Sequence, residues 1–505
     1  MTIGRTQAVA LQGLLGSVID IECDIADGIP MYSLLGLPDA SLQESRDRVR
    51  AALTNTGQKW PNRKVTVSLS PAWIPKSGPG FDCAIALAIL IADGTIAQEP
   101  LADVVVLGEL ALDGSLRSVR GVLPSLIAAY KSGVKRAIVP RANQREAELM
   151  EQMEILSFNH IIEIYRWLTT GEYPIEEPLD LEIDSSVESL DFADVAGQAK
   201  ARFAAEVAAT GGHHLLLIGP PGAGKTMIAS RLPAILPPLT MDESLEVTAI
   251  HSIADGLSKR SAMSKVAPIV APHHSASRAS IVGGGNRVIQ PGAISLANRG
   301  VLFIDEAPEC AAGILDALRQ PLESGEITIA RSVGSVTFPA RFLLVLAANP
   351  CPCGKYSSRG LGCTCSSLQV RRYLGKLSGP LMDRIDIRVD VDPVGRIELA
   401  SEVMGESSQE IRSRVIAARA KASKRFKDHP WKLNAEIPAR ALRLEFRPER
   451  AAMNFLHDEL DKELITARGL HKVVRLAWTL ADLGDHDIPT LDDVRRAYQL
   501  RDGGY

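Results

Sequence analysis

The stretch that decides the fold is GPPGAGKT, Gly219–Thr226, which fits the G-x-x-x-x-G-K-[ST] pattern of a phosphate-binding loop. The apolar run HHLLLIG precedes it and the helical stretch MIASRL follows it, which is the strand–loop–helix context that the pattern requires. Glycines let backbone N–H groups approach phosphates, and the start of a helix adds a positive end. We therefore expect ATP to bind here through Gly219, Pro220, Pro221, Gly222, Ala223, Gly224, Lys225 and Thr226.

Within this loop, Lys225 is expected to reach the β- and γ-phosphates and the Thr226 hydroxyl to coordinate Mg²⁺. Downstream, the apolar run GVLFIDE ends in Asp305 and Glu306. A carboxylate there can hold the Mg²⁺ shell, and its neighbour can polarise the attacking water. The next run, RFLLVLAAN, ends in Asn349, which can orient that water or sense the γ-phosphate; a turn-forming Asn before Pro350 is the alternative.

Composition sets the outer limits of the interpretation. The chain has 505 residues, 46% of them hydrophobic, and a formal net charge of −4, which predicts about three folded domains and excludes a mainly disordered chain. With no overall basic excess, any contact with DNA must come from local patches. No signal peptide and no long uncharged apolar segment stand out, so we expect a cytoplasmic protein without a membrane partner.

Changes along the sequence predict four segments. Residues 1–175 mix strand runs such as KVTVSLS with helical stretches such as FDCAIALAILIADG, which indicates α/β or α+β structure. An acidic stretch at 176–190 reads as a linker. Residues 191–392 alternate helices with continuous apolar strands, as in a parallel sheet, and residues 393–505 are helical in pattern. The predicted fold class is α/β.

The motifs GPPGAGKT, GVLFIDE, AANPCPCG and LSGPLMDRID together resemble the magnesium-chelatase-like branch of the AAA+ ATPases. The N-terminal segment, the APHHSAS…GGG stretch and the CPC motif resemble the YifB/ComM family of competence-associated proteins. The resemblance runs over nearly the whole chain. It implies an AAA+ core with a C-terminal helical lid, and a ring of identical subunits with six as the expected number.

The resemblance also assigns two arginines. Arg384 in LMDRID resembles the arginine finger, which reaches the γ-phosphate held by the next subunit; a local ion pair with Asp383 or Asp386 is the alternative. In the helical lid, Arg468 is the expected second sensor. Arg475, seven residues later on nearly the same helix face, is the other candidate.

Two elements resemble those that project into the central pore of this branch. One is the insertion around His273–Gly292, expected to be loop, and the other is a β-hairpin in ESGEITIARSVGSVTFPA. Arg331 near the hairpin tip and Arg287 in the insertion are candidate contacts to the backbone of single-stranded or branched DNA. Exposed surface arginines are the alternative. His273 and His274 read as loop histidines.

Cys351, Cys353, Cys363 and Cys365 form the pattern C-x-C-x9-C-x-C. Four thiolates within fifteen positions can bind one structural Zn²⁺, although the usual spacing is C-x2-C. Redox-active or simply reduced thiols are the alternatives. The other three cysteines, Cys23, Cys83 and Cys310, read as core thiols.

The N-terminal segment resembles the proteolytic domain of Lon proteases, which has a Ser–Lys dyad. Here Gly80 stands at the serine position and Leu123 at the lysine position, so acyl transfer has no nucleophile and no base. The resemblance implies a ribosomal-S5-like fold kept for interaction or nucleic-acid binding. A basic set could contact DNA, unless it is an ordinary solvated face: Arg46, Arg48, Arg50, Lys59, Arg63, Lys64 and Lys76.

Three function classes follow. The first is a DNA motor that hydrolyses ATP, with branch migration in recombination during transformation as the implied task. The second is a chelatase-like or chaperone-like ATPase that remodels a protein. The third, an ATP-dependent protease, is disfavoured by the missing dyad. The basic runs QVRRYLGK, 369–376, and IRSRVIAARAKASKRFK, 411–427, favour DNA.

Overall fold

The computed structural model describes residues 3–174, 190–255, 265–285, 289–311, 313–331, 334–356, 362–393, 395 and 405–502. Arg287 and nearly all of the predicted linker lie outside these ranges.

The N-terminal part is a seven-stranded mixed sheet in the order β3-β4-β2-β1-β5-β8-β9, with a separate β6–β7 hairpin. Its strands are β1 (Gly4–Gln12), β2 (Leu15–Ala26), β3 (Met31–Leu35), β4 (Lys64–Ser70), β5 (Val104–Val106), β6 (Glu109–Leu110), β7 (Leu116–Arg117), β8 (Arg136–Pro140) and β9 (Glu154–Phe158). Strands β1, β2 and β4 pair antiparallel, and the other pairs of this sheet are parallel.

Four longer helices accompany this sheet: α1 (Ser45–Asn55), α2 (Asp82–Ala92), α3 (Val122–Lys131) and α4 (Ile161–Thr170). Helix α2 is apolar all round, so it is buried along nearly its whole length. At its start the buried Asp82 accepts two hydrogen bonds from the Arg48 guanidinium, at 2.7 and 3.0 Å. Arg48 is therefore committed to the core.

A second residue of the basic set that is predicted to contact DNA has its partners inside the protein. Lys76 is 1% exposed, and its ammonium group donates hydrogen bonds to the carbonyls of Leu69 and Pro71. Burial lowers its pKa. The interpretation of the set as surface cations thus fails for Lys76, because a DNA phosphate cannot reach a cation that is packed inside the domain, while Arg48 is half-buried and paired with Asp82.

The central part contains a five-stranded parallel sheet in the order β11-β14-β17-β10-β18. Strands from here to the end are β10 (Leu215–Ile218), β11 (Ile269–Val270), β12 (Gly283–Gly284), β13 (Gln290–Pro291), β14 (Val301–Ile304), β15 (Glu326–Arg331), β16 (Gly334–Pro339), β17 (Leu343–Ala348) and β18 (Ile387–Asp390). In register, Ile218 pairs with Ala348 of β17 and Asp390 of β18. The predicted α/β class with a parallel-sheet core is confirmed.

Helices α5 (Ala199–Gly211), α6 (Lys225–Ile235), α7 (Met241–Asp255) and α8 (Ser367–Leu374) belong to the central part. The C-terminal part is helical: α9 (Ser408–Arg425), α10 (Ala439–Leu444), α11 (Arg450–Asp461), α12 (Ala467–Leu483) and α13 (Leu491–Asp502). Short helices lie at Ala40–Gln43, Gln144–Ala147, Arg278–Val282, Ala293–Leu296, Ile314–Ala317, Arg319–Ser324 and Gly379–Met382. Apolar residues of α5, α6, α9 and α12 share one core, which joins the C-terminal helices to the sheet.

Of the two elements that are predicted to project into a pore, one has the expected secondary structure and the other does not. The β-hairpin is confirmed as β15 and β16, with Arg331 paired to Gly334 beside the turn. The 273–292 region is not simply loop, because it contains the helix Arg278–Val282 and the antiparallel pair β12–β13. The Ser277 side chain caps that helix by accepting a hydrogen bond from the Ser280 N–H, a local signal within the Ser-rich stretch.

The N-terminal part packs on the central part through helix α7. The buried Glu146 accepts hydrogen bonds from the Ser252 hydroxyl of α7 and from the Leu123 N–H. Leu123, which stands at the Lon lysine position, shares an apolar cluster with Ala249 of α7. Helix α7 of the central part therefore packs beside the position that corresponds to the Lon lysine.

A buried charge network joins the sheet to helix α12. The Asp386 carboxylate lies 2.8 Å from Lys472 Nζ and 3.2 Å from His213 Nδ1, and all three residues are buried. Burial alone would raise the pKa of Asp386, but Lys472 and His213 hold it well below its usual range.

Replacing Asp386 by Ala should leave Lys472 buried without its counter-charge, at a cost of about 3–5 kcal/mol in the free energy of unfolding. Urea denaturation followed by circular dichroism measures this cost. Asp492→Ala is the matched control, since it breaks the exposed 3.0 Å pair with Arg496 in the same helical part and should cost at most about 1 kcal/mol. Equal losses in the two variants would contradict the role given to the buried network.

Candidate nucleotide-binding site

The loop Gly219–Gly224 lies between β10 and α6, at the carboxyl edge of the parallel sheet. Gly222 and Gly224 have φ of +78° and +91°, a conformation that favours glycine, and a Cβ at either position would meet nothing within 4 Å. The glycines are thus required by the backbone turn and leave open space beside it. This is the form of a loop whose N–H groups can surround an anion.

Lys225 is the first residue of helix α6, and its side chain lies over the loop. Its Nζ lies 2.6 Å from the Gly219 carbonyl, 2.9 Å from the Pro220 carbonyl and 3.2 Å from Asn349 Oδ1. Burial lowers the pKa of Lys225, while the nearby Asp305 and Glu306 oppose that shift. The ammonium group therefore lies at the loop with three oxygen contacts that an incoming phosphate can replace.

Asp305 and Glu306 follow β14 directly. The Thr226 hydroxyl donates to Asp305 Oδ2 at 2.8 Å, and the Glu306 N–H donates to Asp305 Oδ1 at 2.9 Å. A hydroxyl and a carboxylate this close are the oxygen ligands that Mg²⁺ uses in phosphate sites. The structure thus brings together the predicted residues Lys225, Thr226, Asp305 and Asn349.

His274 is a site residue that the sequence interpretation missed. It lies on a loop as expected, but its Nδ1 is 3.2 Å from Glu306 Oε2. The His273 and His274 rings lie 4.1 Å apart, and His273 Nδ1 contacts the Ser275 hydroxyl at 2.7 Å. No spacing rule could have found this contact, because 32 residues and strand β14 separate His274 from Glu306.

The two candidate arginines lie elsewhere. The Arg384 guanidinium donates to the Pro380 carbonyl at 2.6 Å and pairs with Glu323, so the predicted local partners Asp383 and Asp386 are wrong. Arg468 pairs with Asp383 at 3.0 Å. Arg475 is turned inward, donating to the Ile437 carbonyl at 2.8 Å, and burial lowers its pKa.

Arg384, Arg468 and Arg475 line a cavity of about 940 Å³. His214 and Leu343, at the amino ends of β10 and β17, line the same cavity, so it lies at the opposite edge of the sheet from the phosphate loop. Four residues of strand, about 13 Å at 3.3 Å per residue, separate the two edges. Neither Arg384 nor Arg468 contacts the phosphate loop of its own chain.

The four cysteines converge as the sequence predicts. Their sulfur atoms all lie within 4.8 Å of one another, with Cys351–Cys353 at 3.3 Å and Cys351–Cys363 and Cys353–Cys363 at 3.7 Å. Four sulfurs at 2.3 Å from a tetrahedral Zn²⁺ would be about 3.8 Å apart, so the cluster fits that ion. A hydrogen bond from the Lys355 backbone lowers the pKa of Cys353 to about 6, which favours a thiolate ligand.

Two of the three remaining cysteines are core thiols. Cys23 and Cys83 are buried, whereas Cys310 is only half-buried, which corrects its reading as a core thiol. Burial raises the pKa of the Cys23 thiol to about 12.

The cysteine cluster touches the phosphate loop. Gly354, between the cysteine pairs, has φ +71°, and a Cβ there would lie 2.6 Å from Pro221 Cδ. Asn349, two residues before Cys351, contacts Lys225. The cluster therefore helps to fix both sides of the site.

Of the predicted DNA contacts, Arg331 is exposed at the end of β15, with its guanidinium close to Gly284 of β12. Arg287 lies outside the described residues. The hairpin and the insertion thus meet at Arg331.

Comparison with known proteins agrees with these motifs. Residues 191–399 match the family model described as magnesium chelatase, subunit ChlI, and residues 21–143 and 405–501 match two further models of that subunit. A protein of Mycobacterium tuberculosis is 47% identical over 504 residues, covering 100% of this chain and 99% of its own.

Three further relatives match different lengths of the chain. YifB of Escherichia coli is 38% identical over 99% of this chain and 97% of its own, and the competence protein ComM of Haemophilus influenzae is 38% identical over 96% and 94%. A Lon protease of Trichlorobacter lovleyi is 24% identical over 35% of this chain and 23% of its own. Among the described residues, no helix combines the length and apolarity needed to span a bilayer.

Gly354→Ala should weaken nucleotide binding, because its Cβ would collide with Pro221 and distort the phosphate loop. We expect a loss of about tenfold, the effect of roughly 1.4 kcal/mol of strain, measured by titration with a fluorescent ATP analogue.

Gly362→Ala is the matched control. Gly362 lies in the same cluster with φ +90°, but the nearest atom to its added Cβ is Lys355 Cδ at 3.9 Å. The control carries the same kind of backbone strain without the contact with the loop. Equal affinities for the two variants would show that the Gly354–Pro221 contact does not act on the site.

Proposed function

The chain belongs to the YifB/ComM family of magnesium-chelatase-like AAA+ ATPases, and we propose that it is a ring-shaped motor that moves on DNA. Family membership supports ATP hydrolysis with Mg²⁺. The specific task that we propose is branch migration in recombination during natural transformation. The observation that supports the ATPase activity within this proposal is that four residues meet at one edge of the sheet: Lys225, Thr226, Asp305 and Asn349.

Each of these residues has a proposed role. Lys225 and the loop N–H groups hold the phosphates, and Thr226 and Asp305 hold Mg²⁺, which neutralises phosphate charge when bound. Glu306 polarises the attacking water, with Asn349 orienting it. In the described structure the Glu306 carboxylate is held by His274, so that contact has to open before Glu306 can face a water.

Hydrolysis is proposed to require a neighbouring subunit. Arg384 and Arg468 lie at the opposite edge of the sheet from their own phosphate loop, with Glu323 and Asp383 as their partners. A head-to-tail ring would bring this edge of one subunit to the phosphate loop of the next. Both arginines would then exchange their carboxylate partners for the neighbour's phosphates, which favours Arg468 over the inward Arg475 as the second sensor.

DNA is the proposed substrate of the motor. The name of the relative ComM links that protein to competence. In this chain, Arg331 and Arg287 on the hairpin and the insertion are the proposed phosphate contacts. The proposed location is the cytoplasm, where ATP is available and thiols stay reduced.

The cysteine cluster is proposed to hold one structural Zn²⁺. Four sulfurs leave no open coordination position, so a catalytic role is excluded for such an ion. Its contribution would be to fix the chain between Asn349 and α8.

The proposed motor predicts that DNA stimulates ATP hydrolysis. Single-stranded, duplex and branched DNA should be compared in a steady-state ATPase assay, with Glu306→Gln expected to lower kcat at least about 100-fold while ATP still binds. Arg331→Ala should keep the basal rate and lose much of the stimulation. A flat response to every DNA, in protein that forms rings with ATP, would favour the chaperone-like ATPase instead.

Two inactive variants should restore activity when mixed. Arg384→Ala retains a phosphate loop and Lys225→Ala retains the arginine, so some interfaces of a mixed ring hold both. We expect partial recovery of ATPase activity when these two variants are mixed. A mixture of Lys225→Ala with Glu306→Gln is the control, because Arg384 and Arg468 are intact in every subunit but no nucleotide site has both Lys225 and Glu306. An absence of recovery in rings shown to be mixed would mean that Arg384 acts within its own chain.

The zinc proposal predicts about one zinc per chain by elemental analysis. Cys353→Ser should lower that content and the thermal stability of the core, since a structural ion contributes folding energy. Metal-free protein with four freely titrating thiols would contradict the proposal.

A further inference from the structure

One long segment of the chain contains no acidic residue. From Ile327 to Met382 there are 56 residues without a single Asp or Glu, although the whole chain has 60 acids among 505 residues. The same segment has seven basic residues: Arg331, Arg341, Lys355, Arg359, Arg371, Arg372 and Lys376. In a chain with net charge −4, a segment of this composition favours contact with a polyanion.

The two basic runs of the sequence have different environments. In the run 411–427, Arg414 pairs with Glu206 and Glu406, Lys421 with Asp485, and Arg425 with the buried Asp482. These three cations are therefore engaged by carboxylates of the protein, whereas Lys424 and Lys427 of the same run are exposed. The run offers fewer free cations to DNA than its sequence indicates.

The run 369–376 keeps its cations in solvent. Arg371 and Arg372 on α8 are exposed, as is Lys355 beside the cysteines, and among the described residues none of the three has an ion-pair partner. Lys376 differs, since it contacts Glu309 at 3.3 Å. Tyr356, next to Lys355, is 51% exposed, in a chain with few aromatic residues.

These residues share one rigid support. Lys355 follows Cys353 by two residues, and its side chain packs on Gly362 next to Cys363. Ser366 follows Cys365 and caps helix α8, forming a capping box with Gln369. The backbone of Arg371 therefore lies about 8 Å along the helix from this cap. The buried Tyr373 fixes α8 against the core of the protein.

We propose that Lys355, Tyr356, Arg371 and Arg372 form a second contact surface for single-stranded DNA, distinct from the hairpin. The three cations bind backbone phosphates, and the Tyr356 ring stacks on a base, the combination that holds single strands without reading sequence. This inference rests on the proposed DNA motor. It adds a surface that is linked to the nucleotide through Gly354 against Pro221 and Asn349 against Lys225.

The test uses the full-length chain with Glu306→Gln, which keeps ATP bound, and fluorescence anisotropy with labelled oligo-dT across a range of salt. Arg371→Ala/Arg372→Ala should bind about tenfold more weakly, and its salt slope should fall by about 1.4 because two phosphate contacts are lost. Tyr356→Leu should also weaken binding, but without changing the salt slope, since stacking releases no counterions.

Lys131→Ala/Lys135→Ala is the matched control, because both lysines are exposed in the N-terminal part and their loss changes the net charge equally. Circular dichroism and thermal melting measured on each variant establish that it is folded. Binding equal to the control would overturn the second surface while leaving the proposed motor intact. Weaker binding of a fluorescent ATP analogue with unchanged DNA binding would overturn it as well and assign the arginines to nucleotide. No DNA binding by the Glu306→Gln parent would instead overturn the proposed motor together with this inference.

Discussion

Parallel alignment of four buried strands controls the chemistry of this protein. Because β10, β14, β17 and β18 run in the same direction, the residues that follow them meet at one edge, and the residues that precede them meet at the other. The carboxyl edge holds Lys225, Asp305 and Asn349 within hydrogen-bond reach of a common space. The amino edge holds Arg384 and Arg468. One sheet thus separates the phosphate loop from the two arginines that are proposed to act on a neighbouring subunit.

The carboxyl edge could be predicted from sequence because its motifs combine local and periodic signals. A glycine-rich loop between an apolar run and a helix, and acids or an amide at the ends of apolar runs, depend only on neighbouring residues. The same holds for the β-hairpin and the cysteine cluster. What sequence could not predict are partners brought together by tertiary packing: His274 against Glu306, Glu323 against Arg384, and Gly354 against Pro221.

Charged residues were the least predictable part of the chain. Arg48, Lys76, Arg414 and Arg425 look like surface cations in the sequence, yet each is held by buried or neighbouring oxygens. A long side chain can serve either solvent or core, and the choice depends on carboxylates that lie far away in sequence. The absence of acids over 56 consecutive residues is a different signal, because it excludes ion-pair partners within the segment, although Lys376 still pairs with Glu309 from outside it.

The N-terminal part is similar to a protease domain but lacks the residues of its dyad. Without a serine at Gly80 and a lysine at Leu123, the Lon-like face has no catalytic groups, and helix α7 packs beside it through Glu146 and Ser252. Helix α7 precedes the insertion in the chain, and strand β12 of that insertion lies beside Arg331 of the hairpin. Gly13 of the first hairpin lies against Val336 of β16 as well, since a Cβ there would come within 2.2 Å of that side chain. The N-terminal part thus contacts the hairpin through Gly13 and helix α7 through Glu146, so any movement of these elements during the proposed ATP turnover has to be transmitted to, or resisted by, the domain packed behind them.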